Sequence, residues 1–506
     1  MTGPVTAAIG RSAPAYLAFF AVFFAALVAV HWPVLGLPYF WDELGQFIPA
    51  ALDILHLNAW VPKTTLPNVH PPGVMAWLAL VWKIFGYSVV ATRLAMLAVA
   101  ALGVLATFLV AIELCRPLPG APAFLAPLLL MCSPLFWSQS VKAQLDMPAM
   151  TFTMVALWLF LKNRFGLAAA ACVVLVLCKE TSLAVPFVFG CWLLWERRWQ
   201  SALLFFAPAL ALGAWLLVLR SATGHPLGND EFTQYNIAFQ LHPVRLPVTL
   251  LRRLFYLLVD NYHLLGSVAI GWVMLKRAPA TFRTRPWSLV GSVALLQIVL
   301  VSVFGGAALE RYLMPVIPMF YCAVAASLAL VPATPRVAAT LVMVAGLFSS
   351  ILISSPLAYP FENNSAFVSF VHLQQRAATF VEAELPGQTV VSAWPLPDAL
   401  RRPEFGYVSK PIPVRGIGNF DLATVRAVGE IEVLVLYSRT WEPGWGALKA
   451  PWIREFLTKY YLYKPQITRR EIERDLGLAP IARWEENGQW IEIYTRSRLP
   501  NVLILQ

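Results

Sequence analysis

The chain has 506 residues, of which 59% are hydrophobic and only 13% charged. A soluble globular protein carries roughly 25% charged residues, about twice that share, so a soluble class is excluded. The net charge of +11 would suit a nucleic-acid binder, but the basic residues cluster at the ends of apolar stretches. That is the pattern of a membrane protein oriented with Lys and Arg in the cytoplasm.

Apolar stretches run over 15–37, 71–86, 88–112, 121–138, 146–161, 166–178, 182–195, 200–219, 254–275, 287–306, 313–331 and 337–356. A bilayer crossing takes roughly 20 mostly apolar residues. The opening segment, Pro14 to Leu37, is too long for a signal-peptide core and is followed by no A-x-A-like site, so it is read as a retained first span. Segment 71–86 is short, follows a proline pair and contains Lys83. If it does not cross and the N-terminus is cytoplasmic, then Arg116, Lys162, Arg164, Arg197, Arg198, Lys276, Arg277, Arg283, Arg285 and Arg336 all fall inside. If it crosses, all fall outside.

The non-crossing reading predicts an α-helical polytopic membrane protein, with about eleven transmembrane helices plus interfacial helices. Residues 1–356 form the transmembrane domain, with an outer loop over 38–88. Residues 357–506 form an extracytoplasmic domain, on the outer side of a bacterial inner membrane. Arg252 and Arg253 are the pair this topology sets outside, against the charge rule.

The same topology gathers Asp42, Glu43, His70, Arg93, Asp146, Lys179, Glu180, Glu310, Arg311 and Tyr312 on the outer side. A charge at the bilayer centre costs about 2.5–3.5 kcal/mol on insertion scales, so these residues belong at an interface or a polar cavity. The first loop opens Pro38-Tyr39-Phe40-Trp41-Asp42-Glu43. Adjacent carboxylates there suit either chemistry or a solvated helix start. In His70-Pro71-Pro72-Gly73 the prolines fix the entry into a helix and hold His70 at its mouth. A simple turn histidine is the alternative. Arg93 opens a span in Ala91-Thr92-Arg93-Leu94, and Asp146 lies in Gln144-Leu145-Asp146-Met147-Pro148, where a helix N-cap would also suit it. Lys179-Glu180-Thr181 ends a span, as a reactive pair or an interfacial ion pair. Arg311-Tyr312-Leu313-Met314-Pro315 begins another, where an interfacial anchor is the plain alternative. The polar loop 221–245, with Asn229-Asp230-Glu231, either covers a cavity or only connects spans. Arg252-Arg253 beside it would meet a phosphate or ordinary anionic headgroups.

From residue 357 the sequence becomes mixed and nearly charge-balanced. Ala366 to Glu384 reads as an amphipathic helix. Thr389 to Ala393 and Ile431 to Tyr437 read as buried strands. Asn487-Gly488, between Ile481–Glu485 and Gln489–Tyr494, is a hairpin signal. The alternation predicts a small soluble α/β domain that covers the membrane site, presents an acceptor, or is a structural cap. The six cysteines (Cys115, Cys132, Cys172, Cys178, Cys191 and Cys322) all precede it, so it has no disulfide and no Cys-type zinc site. Asn363-Asn364-Ser365 matches a glycosylation sequon by chance.

Asp42-Glu43 followed by His70-Pro71-Pro72, and then Arg93, Asp146, Lys179-Glu180 and Arg311-Tyr312, resembles in order and sidedness the C-type membrane glycosyltransferases. These are the protein O-mannosyltransferases and the aminoarabinose (lipid A) transferases. The resemblance covers roughly 15–356. It departs from the aminoarabinose branch at His70, where that branch often has Lys, and lacks the loop domains of the eukaryotic mannosyltransferases. Sugar and acceptor therefore stay open. What it implies is a C-type fold, a polyprenyl-phosphate sugar donor and a catalytic base at Asp42.

The residues taken alone suit this chemistry. Transfer from a lipid phosphate needs a base near the acceptor hydroxyl and cations where phosphate charge grows. The expectation is an inverting glycosyltransferase in which Arg93, Lys179, Arg311 and His70 hold the phosphate, with Tyr312 in the binding set. Glu43 and Asp146 would orient groups or bind a divalent ion, for which oxygen ligands suit magnesium or manganese. Expected partners are the donor, a lipid, glycan or protein acceptor, and membrane lipids; no nucleic acid is expected. The alternative is a polytopic transporter or flippase of a lipid-linked or anionic substrate. Mid-membrane charge and broken spans would favour it, and Asp260, Asn261 and His263 are its one candidate cluster. A non-catalytic assembly protein has no specific feature in its favour.

Overall fold

The computed structural model describes residues 13–118, 120–276, 279–307, 309–355, 360–439, 446 and 450–496. The chain divides into two compact units, one of Met1–Leu35 with Ile48–Ile353, the other of Gly36–Phe47 with Ser354–Gln506.

The first unit is helical. Its central element is Val89–Cys115, capped by Ser88, whose side chain accepts from the Ala91 N–H at 3.0 Å. Its most apolar window is 78% buried, as expected of a helix that is apolar all round. Gly103 lets it approach Asp146–Leu161 closely. A Cβ at Gly103 would lie 2.6 Å from Thr151 Oγ1 and 2.7 Å from the Met150 methyl, the small-residue contact of membrane helix pairs.

Among the described residues five helices are long and apolar enough to cross a bilayer: Ala13–Val34, Val89–Cys115, Trp199–Thr223, Arg285–Phe304 and Ala333–Leu352. A sixth is added if Arg245–Leu258 and His263–Lys276, bent by 86°, form one span. The chain is a membrane protein. Several other expected spans are shorter apolar helices: Asp146–Leu161, Phe165–Cys178, Glu180–Trp195 and Ile317–Leu330. The stretch 121–138 is broken into Leu125–Cys132 and Pro134–Ser140. Pro134 has no N–H to continue the ladder and drives Ser133 into extended backbone. The stretch 71–86 contains the helix Gly73–Phe85, whose 13 residues extend about 20 Å at 1.5 Å per residue, short of the roughly 30 Å hydrocarbon core. Arg277, counted among the inward basic residues, lies outside the described residues.

The 86° elbow is made by Asn261 and Tyr262, consecutive residues with φ of 49° and 65°. The His263 Nδ1–H donates to the Tyr256 carbonyl at 2.9 Å, and Nε2 accepts from the Tyr321 hydroxyl at 2.8 Å. Both ring nitrogens of the one histidine a transporter would have used are thus spent on locking the bend.

The second unit holds a five-stranded sheet in the order β2-β1-β3-β5-β4. Here β1 is Val390–Ala393, β2 Val414–Ile417, β3 Val433–Tyr437, β4 Ala479–Glu486 and β5 Gln489–Thr495. The first three are parallel, with Val390 paired to both Val414 and Val433, and β4 and β5 form an antiparallel hairpin. The hairpin turn is Asn487-Gly488, both left-handed at φ 50° and 76°, the geometry that favours this dipeptide. The all-buried VLVLY of β3 is the continuous apolar run of a strand covered on both faces. The edge strand β2, VRGI, was not legible, because Arg415 and Gly416 interrupt its apolar pattern. Helix Ala366–Glu384 has the expected bounds and packs on the hairpin.

Segment 36–47 belongs to this unit through its aromatic side chains. Tyr39 and Phe40 are buried. The Tyr407 hydroxyl donates to the Tyr39 carbonyl at 2.6 Å, and the Phe40 ring lies 5.8 Å from Phe367 and 5.5 Å from Phe370.

Candidate functional site

Asp42 and Glu43 sit on one tight turn yet occupy different surroundings. Glu43 is fully buried, and its Oε2 accepts from the Phe40 N–H at 2.8 Å. The backbone closes the turn with the Glu43 N–H on the Phe40 carbonyl at 3.1 Å and the Leu44 N–H on that of Trp41 at 2.9 Å. Trp41 has φ 53°. A left-handed bulky residue costs about 1–3 kcal/mol and persists only where its surroundings over-determine it. Here its ring packs against Trp394 at 4.9 Å and Phe370 at 5.6 Å. Asp42, at the head of the turn, is half-buried. Glu43 therefore orients the turn, while Asp42 is the carboxylate the turn presents.

In the helical unit, Gly73 explains why His70 is where it is. A Cβ on Gly73 would lie 2.5 Å from the Leu177 carbonyl oxygen and 3.2 Å from the Cys178 nitrogen, so the Pro-Pro-Gly entry lies directly on the backbone that leads into Lys179 and Glu180. That contact sets His70 Nδ1 3.0 Å from Glu180 Oε2. Loop 221–245 holds the other side. The Asn229 side-chain amide donates to the Pro67 carbonyl at 2.5 Å, Gly228 backs onto Asn68, and the Phe232 ring meets His70 edge-on at 5.4 Å. Further along, Tyr235 and Asn236 press on Gly306, and the Gln240 amide donates to the Ser302 carbonyl at 3.2 Å. The loop thus straps the His70 segment to the chain that enters Glu310-Arg311-Tyr312.

Asp146 begins its helix without capping it. Its two oxygens take Lys179 Nζ and Arg311 Nε, the latter at 3.3 Å. Asp146, Lys179 and Arg311 are all buried. Lys179 lies over the Tyr312 ring at 4.1 Å from its centroid, with the Arg253 and Arg311 guanidiniums at 5.5 and 5.8 Å. Three cations thus lie around one aromatic ring, and two of them share one carboxylate. Arg253 is anchored on the Val301 and Gly305 carbonyls, and its neighbour Arg252 pairs with the fully buried Glu310 at 2.5 Å. In the sequence Arg253 carries two signals, its place outside against the charge rule and its position beside the polar loop 221–245. Arg93 stands differently. It is buried, and Nη1 donates to the Val141 carbonyl at 2.7 Å, which fixes the connection leading into Asp146.

The carboxylates expected to orient groups or hold a divalent ion are both engaged by protein groups, Glu43 by a backbone N–H and Asp146 by two cations. That fits orientation and does not fit a magnesium or manganese site. Among the described residues no three His, Cys, Asp or Glu side chains gather as ligands.

No family model matches the sequence, and no curated protein matches it. Solved structures do match in fold. ArnT from Cupriavidus metallidurans bound to undecaprenyl phosphate aligns with a TM-score of 0.53 and 15% identity, over 95% of this chain and 98% of that one. Its apo state gives 0.52 and 15%, over 94% and 97%. The archaeal oligosaccharyltransferase AglB from Archaeoglobus fulgidus, in complex with an inhibitory peptide and a dolichol-phosphate, gives 0.48 and 11%, over 83% and 69%. The chain has the fold of ArnT along nearly its whole length.

Proposed function

We propose that the chain is an inverting glycosyltransferase. It moves a sugar from a polyprenyl-phosphate carrier to a lipid, glycan or protein acceptor on the extracytoplasmic face of a bacterial inner membrane. The observation that carries this reading is the buried knot of Lys179, Arg253 and Arg311 around the Tyr312 ring, with Lys179 and Arg311 on the Asp146 carboxylate. Phosphate charge grows as the glycosidic bond breaks, and preorganised cations stabilise it. Preorganised buried cations of this kind suit an anionic headgroup. The ArnT neighbour is bound to undecaprenyl phosphate, a carrier of the same chemical class.

In this reading Asp42 takes the proton of the acceptor hydroxyl as its oxygen attacks the anomeric carbon, and the carrier phosphate leaves with the electrons of the broken bond. Lys179, Arg311 and Arg253 stabilise that phosphate, with Tyr312 and His70 lining its approach. Asp146 orients the cations, Glu180 orients His70, and Arg93 holds the turn that leads to Asp146. The topology in this reading has about eleven crossings, some of them by helices shorter than the usual roughly 20 residues. Residues 1–356, apart from segment 36–47, form the membrane domain, and 357–506 belong to a soluble extracytoplasmic one. Arg252 and Arg253 then stand outside against the charge rule, and their engagement with Glu310 and Val301 supports a role in the protein instead of one in orientation.

The test is incubation of the purified protein with radiolabelled polyprenyl-phosphate sugars and total membrane extract. Labelled product is expected. Movement of intact label across a vesicle without transfer would overturn the enzyme in favour of a transporter. For sidedness, single cysteines at Gly120, Gln200 and Arg283, in a background lacking the native cysteines, should resist impermeant thiol reagents in intact cells. Those at the exposed Asn58, Asp230 and Asn487 should react. Labelling at Arg283 without labelling at Asn487 would reverse the topology.

A further inference from the structure

We infer that the C-terminal α/β unit is the positioning device for the Asp42 carboxylate, acting through Trp394, Tyr437 and Tyr407. This rests on the reading of Asp42 as the base. In an open α/β sheet the ligand crevice lies outside the carboxyl ends of the strands, at the point where the strand order reverses. In the order β2-β1-β3 the chain leaves β1 to one side and returns to the other, so that point lies between β1 and β3. The residues at their carboxyl ends are Trp394, directly after β1, and Tyr437, the last residue of β3.

The group lodged against these residues is the chain's own segment 36–47. The Trp41 ring stands edge-on to Trp394 at 4.9 Å and to Phe370 at 5.6 Å, and Phe370 meets the Tyr437 ring at 5.6 Å. The Tyr437 hydroxyl reaches the Ala393 carbonyl at 3.1 Å, and also that of Trp394, which ties the two strand ends together. The Trp394 indole N–H donates to Asp398 at 3.1 Å and so fixes the ring. Gly45 lies against that ring, where a Cβ would come within 2.7 Å of Nε1. On the other side of Asp42, Tyr407 holds the Tyr39 carbonyl, and Phe405 meets the Tyr39 ring edge-on. The segment is therefore gripped three residues before Asp42, at its immediate neighbour Trp41, and three residues after it. The place where such a sheet takes a ligand is filled by the strained turn that carries the base.

The experiment uses the full-length protein and single-turnover transfer with bound labelled donor, alongside donor affinity and thermal stability. Trp394→Ala and Tyr407→Phe should each slow the transfer step about 10- to 100-fold, the scale of a small misplacement of a reacting group. Donor affinity should stay unchanged, and Trp394→Phe should restore most of the rate. In the Asp42→Asn background neither change should lower the residual transfer further, because both act through that carboxylate. If Asp42→Asn is inactive while Trp394→Ala and Tyr407→Phe transfer at the wild-type rate, the positioning inference is overturned and the base stands. Equal losses in both backgrounds also overturn it. If Asp42→Asn itself transfers normally, the reading of Asp42 fails instead. Should Trp394→Ala fail to fold, Tyr407→Phe, which removes a single hydroxyl, carries the same comparison.

Discussion

Asp146 in the helical unit and Asp42 in the segment 36–47 are held by opposite means. Asp146 is gripped by charge, with one cation on each oxygen and a third beside the ring they share. Asp42 rests on a turn held by rings and backbone hydrogen bonds, with Trp41 packed on Trp394 and Phe370 and with Glu43 closing the turn. The difference is chemical. An ion pair fixes a carboxylate by satisfying it, which suits a group that must orient cations. Aromatic packing fixes the backbone beneath a carboxylate, and in the proposed reading that backbone carries the group that accepts a proton.

The sharpest way to break this comparison is Asp42→Asn. It keeps the shape but cannot take the acceptor's proton, so transfer should fall by about 10²–10⁴, the usual scale of general-base loss, with donor binding spared. Single-turnover transfer with bound donor measures it, and a normal rate would make the pair a simple helix start. Arg311→Ala should instead weaken donor affinity about 10- to 100-fold, since a charge-assisted contact to phosphate contributes about 1.5–3 kcal/mol. Unchanged donor affinity would reduce Arg311 to an anchor. Arg93→Ala should impair donor use in the same direction, but by letting the Val141 connection to Asp146 relax. Rescue by Arg93→Gln, which keeps an N–H donor for that carbonyl but no charge, would support this over a phosphate contact.

Gly73→Ala tests the other side of the cation knot. Its methyl would meet the Leu177 carbonyl, so it should cost about 1–3 kcal/mol of stability as overpacking and separate His70 from Glu180. Thermal unfolding of the purified protein reads the first effect, and wild-type stability would remove the close-approach argument. The smallest effect is expected from Glu43→Gln. It still accepts from Phe40, so it should lower stability by no more than about 1 kcal/mol and transfer by far less than Asp42→Asn. Equal losses in the two variants would erase the distinction between them.

The amino-acid sequence by itself determined the membrane class, because a 59% apolar chain with basic residues at the ends of its apolar stretches has few other solutions. It also determined the helix Ala366–Glu384, the central strands and the Asn487-Gly488 hairpin, where periodicity and turn chemistry are local signals. The chemistry-bearing residues were legible as types in order. What each one touches was not. That Lys179 and Arg311 share Asp146, that Arg253 turns inward and that Arg93 serves a backbone carbonyl are decided by contacts across tens of residues or more. No local pattern encodes these. Nor does composition mark segment 36–47 as part of the C-terminal unit, since its four aromatic or proline residues before Asp42 read equally well as a membrane-interface belt. Only the tertiary structure gives those rings their partners, because burial of an aromatic face is decided by whichever surface the whole fold brings to it.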